Sequence, residues 1–372
     1  MINESRNPTM VIPNIDRVDT NLIDLLSRFN QYGIAFSSNL GEKNKKLNIV
    51  CGISDTNKLQ NLYFSNLEIH SIQLNSFGII KFISFFRSLV NSNSLGIGML
   101  IAGDPFRGLF ACKLIRIICK VDLPLQAQFH GEIGDFGFGS SLVNRVKNVI
   151  FKFLILGVDS FRLVSNDQIA NATKVFKIPK PKIVVAPVPI SLDFIDLKVK
   201  KPNRTLGFVG RLHQERGVDL WIETIKNLKT RVNVFDLRII GDGPLRKYFE
   251  EELEKIGVPY KFTGRLTQSE LKNEWENISV LLSTAPAESY GMAMREAVMQ
   301  GCAVVSYTNS GSKDVAKQYP DSVNLFTDVS GGSSLIIDAM NNQINTNKVE
   351  RYRSEFMQLQ KDNIDKLVKS WA

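Results

Sequence analysis

The chain has 372 residues, of which 44% are hydrophobic, 22% charged and 9% aromatic. These values exclude a disordered chain, a collagen-like chain and a small disulfide-bonded domain, and at roughly 150 residues per domain the length predicts two domains. The formal charge is +9, and residues 1–200 carry 23 basic against 15 acidic residues, whereas residues 201–372 carry 23 against 22. The basic excess therefore belongs to the first half, which indicates an anionic partner there.

The four cysteines form neither a Cys-x-x-Cys pair nor a metal-site spacing with histidine, so we expect buried, reduced thiols and no metal site. They are Cys51, Cys112, Cys119 and Cys302. The N-terminus lacks the apolar core of a signal peptide, and no stretch reaches the ~18–20 apolar residues that span a bilayer. We therefore expect a cytoplasmic protein without a membrane span of its own.

Short β-branched runs alternate with longer amphipathic runs, a pattern typical of parallel α/β layers. Strands are predicted in the first half at Leu47–Cys51, Ile69–Gln73, Met99–Ala102, Leu125–Gln128, Ser160–Val164 and Ile183–Ala186. Helices are predicted between them at Gly108–Cys119 and Leu142–Leu156. Strands follow in the second half at Thr205–Val209, Phe235–Ile240, Tyr260–Phe262, Val280–Leu282 and Ala303–Tyr307. Two doubly wound domains are the economical interpretation.

A proline-rich and basic segment near Pro187–Arg204 separates the two arrays. Proline stiffens a connection and charges keep it in water, so this segment is typical of an interdomain hinge. We predict a first domain at residues 1–190, a second at 191–347, and a terminal helix at 348–372 that crosses back to the first domain.

Two arginines follow the strand Thr205–Val209. The strand ends in the turn Gly210-Arg211-Leu212, and Arg216 comes five residues after Arg211, just before Gly217. Guanidinium groups at the carboxyl end of a parallel strand, beside glycines that allow close approach, suit a diphosphate. Surface arginines in a loop between a strand and a helix would produce the same pattern.

Two further glycine turns follow the next two strands. Gly241-Asp242-Gly243-Pro244 ends the first, and its proline is predicted to open a helix. Thr263-Gly264-Arg265-Leu266 ends the second, where main-chain groups after the glycine could hold a nucleobase. Both turns also fit a purely structural role.

The most specific stretch runs from Glu288 to Glu296, after an apolar strand. A helix beginning near Gly291 would present the N–H groups of Gly291, Met292 and Ala293 to phosphate oxygens. Glu296 would accept hydrogen bonds from ribose hydroxyls, and Glu288 would reach a sugar beyond the phosphates. An ordinary acidic helix start explains Glu288 but not the glycine turn together with the second glutamate.

Taken in order, these segments resemble the retaining family 4 glycosyltransferases of the GT-B fold. The likeness covers most of residues 97–315, and upstream it includes Asp104-Pro105-Phe106, Gln128-Phe129-His130-Gly131-Glu132 and Ser160–Ser165. The resemblance implies two Rossmann-like doubly wound domains that face each other across a cleft. The first would bind the acceptor and the second a nucleotide sugar, which serves as co-substrate without a further cofactor.

The resemblance also assigns roles to single residues. Arg211 and Arg216 would hold the donor diphosphate, with arginine at 216 where the family commonly has lysine. Glu296 would bind the ribose, Glu288 the donor sugar, and His130 would approach the transferred sugar, although a lone histidine at a strand end also fits a packing role. The implied catalytic residues are Glu288, His130, Arg211 and Arg216. The implied donor-binding residues are Gly210, Arg211, Arg216, Gly264, Arg265, Leu266, Glu288, Gly291, Met292, Ala293 and Glu296.

The sequence departs from the family pattern in two places. His130 is followed by Gly131-Glu132, where the family commonly has aspartate, so no role is assigned to Glu132. The opening segment Thr9–Asn14 lacks the paired glycines of a loop that faces donor and acceptor in many relatives. We assign no site residue there.

The expected reaction is sugar transfer with retention of configuration, as the resemblance implies. No Asp-x-Asp is present to hold a divalent ion, so we expect Arg211, Arg216 and the helix start to stabilise the departing diphosphate without a metal. The expected acceptor is a glycan or lipid-linked glycan of cell-surface polysaccharide or lipopolysaccharide biosynthesis. A catalytically silent nucleotide-sugar-binding protein and a GT-B-fold sugar-nucleotide epimerase are the alternatives, and Glu288 with Glu296 argues against the epimerase.

One apolar and basic stretch, Phe77–Val90, has two interpretations. With Lys147 and Lys152 near another apolar run, it fits a helix that rests on an anionic membrane at the inner face of the cell envelope. It also fits a buried helix with solvated basic residues. Nucleic-acid binding is not expected, because the basic half contains no recognised module.

Overall fold

Two parallel sheets organise the chain, one in each of two units. The computed structural model describes residues 7–17, 22–40, 45–60, 62–74, 78–92, 94–130, 149–190, 192–198, 204–342 and 345–371. The first unit comprises residues 1–189 with 360–372, and the second comprises residues 190–359.

The first sheet has seven parallel strands in the order β3-β2-β1-β4-β5-β6-β7. The strands are β1 Asn7–Ile12, β2 Leu47–Ile53, β3 Leu67–Gln73, β4 Ile97–Ala102, β5 Leu125–Gln128, β6 Ser160–Leu163 and β7 Ile183–Val185. The helices of this unit are α1 Leu22–Leu40, α2 Ile79–Asn91, α3 Arg107–Ile118 and α4 Asp167–Val175.

Helices cover both faces of this sheet, which is why strands β1, β2 and β5 are buried along their whole length. Side chains alternate between the faces, so Met10 packs in one apolar cluster and Val11 in another. The cluster of Met10 includes α1 and the end of the chain, and the cluster of Val11 includes α2 and α3.

The second sheet has six parallel strands in the order β10-β9-β8-β11-β12-β13. The strands are β8 Thr205–Val209, β9 Asp236–Ile240, β10 Tyr260–Gly264, β11 Val280–Ser283, β12 Ala303–Tyr307 and β13 Val323–Phe326. The helices are α5 Val218–Arg231, α6 Arg246–Ile256, α7 Gln268–Trp275, α8 Met292–Met299, α9 Ser310–Gln318, α10 Val329–Asn341 and α11 Thr346–Lys369.

In both sheets the strand order reverses between two neighbours, β1 and β4 in the first sheet and β8 and β11 in the second. Such a reversal defines a doubly wound fold, and ligands bind at the carboxyl ends of the two strands that flank it. The predicted pair of Rossmann-like sheets is therefore confirmed, and the switch points mark where a ligand site is expected.

All eleven predicted strands agree with the structure to within two residues at each end, and three agree at both ends, namely Leu125–Gln128, Thr205–Val209 and Ala303–Tyr307. Strands β1 and β13 are absent from the sequence-based prediction. The helix predicted to open at Pro244 begins instead at Arg246, because residues 241–245 form a turn. Of the helix predicted at 142–156, residues 149–154 are helical and 142–148 lie outside the described residues.

The terminal helix α11 contributes to both units, and the division between the units falls between residues 359 and 360. In the second unit Arg353 donates from Nε to the carbonyl of Met299 (2.7 Å). In the first unit Trp371 donates from Nε1 to Oε1 of Gln126 (2.9 Å) and packs edge-on against the Tyr32 ring. Each half of the helix is thus held by its own set of contacts.

The apolar stretch predicted at Phe77–Val90 is helix α2, with residue 77 outside the described residues. The core of the first unit contains Phe82, Ile83 and Phe86 of this helix. Most of its apolar residues therefore pack inside the protein. Within the part of the chain that the structure describes, no helix is long and apolar enough to cross a membrane.

The four cysteines are free thiols, three of them buried and Cys119 partly exposed. This confirms the expectation of unpaired thiols. Burial raises the pKa of the Cys51 thiol to about 12, which keeps it protonated and unreactive.

Candidate functional site

The candidate site lies at the switch point of the second sheet, where β8 and β11 end side by side. The loop after β8 supplies Arg216, and the loop after β11 supplies Glu288. These residues are 72 positions apart in sequence, yet Arg216 donates from Nη1 to Oε2 of Glu288 at 2.7 Å. The fold therefore brings together two residues that the sequence analysis assigned to one site.

Hydrogen bonds hold the loop that carries Arg216 against the end of β11. Residues Gln214–Arg216 form a short 3₁₀ helix that ends at Gly217, which has φ +65°. Thr284 donates from Oγ1 to the carbonyls of Arg216 (3.2 Å) and Gly217 (2.9 Å). A Cβ atom at 217 would lie 2.0 Å from the carbonyl oxygen of Thr284. Glycine is required at 217 both for this contact and for the left-handed backbone.

The side chain of Arg216 is partly exposed rather than buried in the core. Its side chain is 40% exposed, whereas that of Glu288 is 19% exposed. Its Nε is shielded from water and has no hydrogen-bond partner among the described residues. Together with Thr284, Ala293 and Met294, the pair lines a pocket at this edge of the sheet.

Arg211 has a different partner from Arg216. Its guanidinium forms a surface ion pair with Glu215, four residues later, and both side chains are about half exposed. Glu215 also donates its backbone N–H to Nδ1 of His213 at 3.4 Å. The two predicted diphosphate ligands thus lie on one loop, but in this structure only Arg216 reaches Glu288.

Helix α8 begins at this pocket with Gly291 as its N-cap residue. Gly291 has φ +71° and no side chain caps the helix, so the first N–H groups are not satisfied by a capping side chain. A Cβ atom at 291 would lie 2.6 Å from Cε of Met294 and 2.8 Å from Cγ2 of Val315. The amides of Met292 and Ala293 are therefore held in a bare helix start, which is suited to an anion.

Glu296 lies in the second turn of α8 and is buried, with 6% of its surface exposed. This residue, which we predicted to bind the ribose, therefore lies below the surface, in the turn that follows the first N–H groups of α8. Gly311 donates its N–H to the carbonyl of Glu288 (2.9 Å), which ties the Glu288 loop to the beginning of α9.

A further residue, Arg295, was not predicted from the sequence and is fully buried beneath the same loop. Its Nε donates to the carbonyl of Tyr290 (2.9 Å), and its Nη2 donates to Oδ2 of Asp314 (2.6 Å). Its Nη1 donates to Gln318, and the guanidinium stacks 4.1 Å from the centre of the Tyr290 ring. A charged residue amid the apolar positions of α8 was the available signal. Arg295 positions the loop between Glu288 and Gly291.

The remaining predicted donor residues lie in turns at the same edge. Gly210 donates its N–H to the carbonyl of Ile240 (3.0 Å), and Gly241 donates to the carbonyl of Gly264 (2.8 Å). Arg265 is exposed and Leu266 is partly exposed. These bonds join the turns after β8, β9 and β10, so the glycine turns have a structural role whether or not they also contact a ligand.

In the first unit His130 follows β5, and its ring is hydrogen-bonded to the backbone of Gly103. Desolvation and the nearby charges of Arg162 and Arg28 lower the pKa of His130 to about 3, although part of the side chain is still exposed. The ring is therefore neutral at ordinary pH. Gly131 and Glu132, which follow it, lie outside the described residues.

The segment Asp104-Pro105-Phe106 caps helix α3. Asp104 accepts hydrogen bonds from the N–H groups of Phe106 (2.9 Å), Arg107 (2.7 Å) and Gly108 (2.8 Å). This explains the motif as a helix start in the first unit.

A family model described as Glycosyl transferases group 1 matches residues 191–353, which covers nearly all of the second unit. The two Rossmann-like sheets with their helices agree with solved glycosyltransferases of the GT-B fold. The second unit therefore matches the group 1 glycosyltransferase family, and the fold of the chain is that of the GT-B glycosyltransferases.

Two curated relatives match parts of the chain. The 2-deoxystreptamine N-acetyl-D-glucosaminyltransferase of Niallia circulans is 25% identical over 115 residues, which cover 30% of each chain. A Campylobacter jejuni relative is 26% identical over 147 residues, 39% of this chain and 40% of its own. Its name describes an alpha-1,4-N-acetyl-D-galactosaminyltransferase acting on GalNAc-alpha-(1->4)-GalNAc-alpha-(1->3)-diNAcBac-PP-undecaprenol. The matched segments thus span less than half of either relative.

Among solved structures, the apo lipopolysaccharide outer core galactosyltransferase WaaB is similar with a TM-score of 0.65. The match covers 98% of this chain and 99% of that chain at 15% sequence identity. At this identity the likeness concerns the fold.

Proposed function

We propose that the protein is a retaining glycosyltransferase that moves a sugar from a nucleoside-diphosphate sugar to a glycan or lipid-linked glycan acceptor. The observation that carries this proposal is the Arg216–Glu288 ion pair at the start of α8, at the switch point of the second sheet. A guanidinium suits a diphosphate, and a carboxylate suits the hydroxyl groups of the sugar beyond it. The group 1 family match of this unit supports the same activity.

The difficult step is the departure of the nucleoside diphosphate from the anomeric carbon. As that bond breaks, negative charge grows on the diphosphate, and Arg216 with the amides of Met292 and Ala293 would stabilise it. Hydrogen bonds to charged groups contribute about 1.5–3 kcal/mol each. Arg211 would add a second guanidinium when it exchanges Glu215 for phosphate.

In this proposal the arginine side chains and the N–H groups at the start of α8 stabilise the negative charge of the departing diphosphate. The reaction therefore needs no metal ion. Retention means that the acceptor oxygen attacks from the face that the diphosphate leaves, through an oxocarbenium-like state. We expect turnover to persist in EDTA, and the configuration of the product to be that of the donor. Loss of activity in EDTA that magnesium restores would contradict the metal-independent part.

The acceptor is proposed to be a lipid-linked glycan or a lipopolysaccharide-type precursor of the cell surface. Support comes from the names of two similar proteins, one that acts on an undecaprenol-linked glycan and one on the lipopolysaccharide outer core. Such an acceptor would place the reaction at the cytoplasmic face of a membrane.

The test begins with a thermal-shift screen of nucleotide sugars, followed by assays of nucleotide release with and without an acceptor panel. Arg216→Ala should lower turnover at least ~100-fold, as the loss of one charge-stabilising group does in other enzymes. Arg351→Ala, which removes a guanidinium from a surface pair with Glu355, is the matched control and should keep full turnover. Undiminished turnover in Arg216→Ala contradicts the proposal, and binding without turnover on any acceptor favours a silent binding protein.

A further inference from the structure

The end of helix α8 that lies away from the candidate site holds the stretch of chain that leads into the second unit. This stretch follows the division after residue 189, and we call residues 193–197 the connecting segment. Gln300, the C-cap residue of α8, is buried, with 1% of its surface exposed. Its Oε1 accepts from the N–H of Ile195 (3.0 Å), and its Nε2 donates to the carbonyl of Asp193 (2.9 Å). One buried side chain thus binds the connecting segment by two hydrogen bonds.

A second buried side chain joins the connecting segment, α8 and α11. Arg353 of α11 donates from Nε to the carbonyl of Met299, the last residue of α8 (2.7 Å), and from Nη2 to the carbonyl of Ile195 (3.0 Å). Its Cζ lies 4.6 Å from the centre of the Phe194 ring. A guanidinium at the C-terminus of a helix also interacts favourably with the helix dipole. The end of α8 is therefore bound both to the connecting segment and to the terminal helix.

The contact between α8 and the connecting segment is also closely packed. Gly301, which follows α8, has φ +68°, and a Cβ atom there would lie 2.8 Å from Cδ2 of Leu197. Ile195 itself is buried, with 2% of its surface exposed. Because a packed interior leaves little free space, a displacement of the helix end would have to move the connecting segment as well.

Helix α8 is short and buried, so its two ends are expected to move together. It has eight residues and is about 12 Å long, and residues 294–299 are all buried. Its sequence contains neither glycine nor proline, so it lacks the usual positions at which a helix bends. At its start, Ala293 and Met294 line the candidate donor pocket. A diphosphate bound there would restrain the same helix whose other end holds the connecting segment.

We propose that Gln300 is a positioning residue of the donor site, and that it couples nucleotide binding at the start of α8 to the order of the connecting segment. The inference rests on the proposed function, in which the diphosphate binds the amides of Met292 and Ala293. Gln300 touches no ligand in this proposal and acts through the helix. Such coupling is reciprocal, so a ligand that restrains α8 stabilises the hydrogen bonds of Gln300, and loss of those bonds weakens ligand binding by the same factor.

The test measures hydrogen exchange of the full chain with and without a nucleoside diphosphate. UDP, GDP, ADP, CDP and dTDP are screened by thermal shift, and the one that binds is used. The amide of Ile195 reports the coupling directly, because it donates to Gln300. We expect exchange in peptides that cover residues 192–198 to slow at least ~5-fold with the nucleotide, the lower end of ordinary coupling between sites.

Gln300→Met keeps a side chain of similar length and removes both of its hydrogen bonds. In this variant the nucleotide should bind ~5-fold more weakly and should still protect residues 288–296, but it should no longer protect residues 192–198. A purely structural role of Gln300 would lower the melting temperature and leave the Kd unchanged. The matched control is Asn277→Ala, which removes a side-chain amide that donates to the carbonyl of Asn273, and it should behave as the parent does.

The outcomes separate this inference from the proposed function. A nucleotide that protects residues 288–296 of the parent and leaves residues 192–198 unchanged overturns the coupling and retains the transferase, and this measurement needs no variant. An equal Kd in Gln300→Met and the parent also overturns the coupling. If no nucleotide binds, the proposed function is contradicted, and exchange without ligand decides the coupling. Gln300→Met should then speed exchange at residues 291–297 at least ~5-fold, and an unchanged rate there overturns the inference.

Discussion

Glu288 forms an ion pair with Arg216, the residue that we propose as the ligand of the donor diphosphate. Arg216 donates one hydrogen bond to this carboxylate at 2.7 Å. In the proposed reaction a diphosphate would compete with Glu288 for the guanidinium, and the carboxylate would then be available to the sugar. The ion pair neutralises the charge of a partly buried arginine.

Glu288→Gln should separate binding from catalysis. Removal of the competing charge leaves Arg216 available, so the nucleoside diphosphate should bind at least as tightly as to the parent, while turnover falls at least ~100-fold. Calorimetry and initial rates of nucleotide release measure the two effects. Glu250→Gln, in a surface pair with Arg246, is the control, and full turnover in Glu288→Gln would remove this residue from the mechanism.

Arg295 supports the site without facing it. Its buried guanidinium donates to the carbonyl of Tyr290 and to Asp314, so it holds the backbone that leads into Gly291. Replacing it with an uncharged side chain would leave a backbone carbonyl and a carboxylate without their donor.

Arg295→Met should lower the free energy of unfolding by about 1–3 kcal/mol, because the carbonyl of the buried Tyr290 loses its donor. Urea denaturation measures this change. The control Arg351→Ala, in an exposed pair, should cost only ~0–1 kcal/mol. If both variants unfold at the same urea concentration, Arg295 does not hold the loop as we describe.

His130 should contribute to the turnover rate without changing how that rate depends on pH. Because desolvation and neighbouring arginines hold the pKa of His130 at about 3, far below its ordinary 6.5, the ring stays neutral between about pH 5 and 8. We expect His130→Gln to lower turnover while the pH profile keeps its form. A limb near pH 6.5 in the parent that disappears in the variant would contradict the neutral state.

Among the elements, the terminal helix α11 has the clearest structural role. Its first part belongs to the second unit and its end to the first. Trp371 is nearly buried, is hydrogen-bonded to Gln126 and lies against Tyr32 and Phe36. The polar residue on β5 that receives this bond is itself buried, so the contact satisfies two groups at once.

Trp371→Ala should destabilise the first unit by about 3–5 kcal/mol, the usual cost of deleting a buried aromatic side chain. The unfolding transition of that unit, followed by hydrogen exchange of β5, reports the loss. Met357→Ala removes an exposed side chain of the same helix and should change little. Unaltered protection of β5 in Trp371→Ala would show that the helix end is not anchored there.

For the whole molecule, the proposed function would divide the work of a transferase between the two units. The basic excess belongs to the first unit, and the Arg216–Glu288 site to the second. Nucleotide binding should therefore be a property of the second unit.

A bound nucleotide should stabilise the second unit selectively. At a concentration 100 times its Kd, a ligand specific for the folded state adds about 2.7 kcal/mol. Hydrogen exchange with mass spectrometry should show new protection at residues 210–217 and 288–296. The control Lys247→Glu should show the same new protection as the parent. Protection concentrated in residues 94–130 would place the nucleotide in the first unit and contradict this prediction.

The sequence by itself determined the two βα arrays, because alternating apolar runs and glycine turns are local signals. It also identified Gly291 and the Glu288–Glu296 spacing, since a helix start after a strand can be read along the chain. Strand β1 escaped notice because its polar beginning, Asn7-Pro8-Thr9, hides a strand that is buried only through its neighbours.

Only the tertiary structure decided which side chains meet. Arg216 and Glu288 are 72 residues apart and pair only because β8 and β11 are adjacent in the sheet, while Arg211 finds its partner within its own loop. Sequence patterns report local periodicity, whereas contact between distant segments depends on the order of strands.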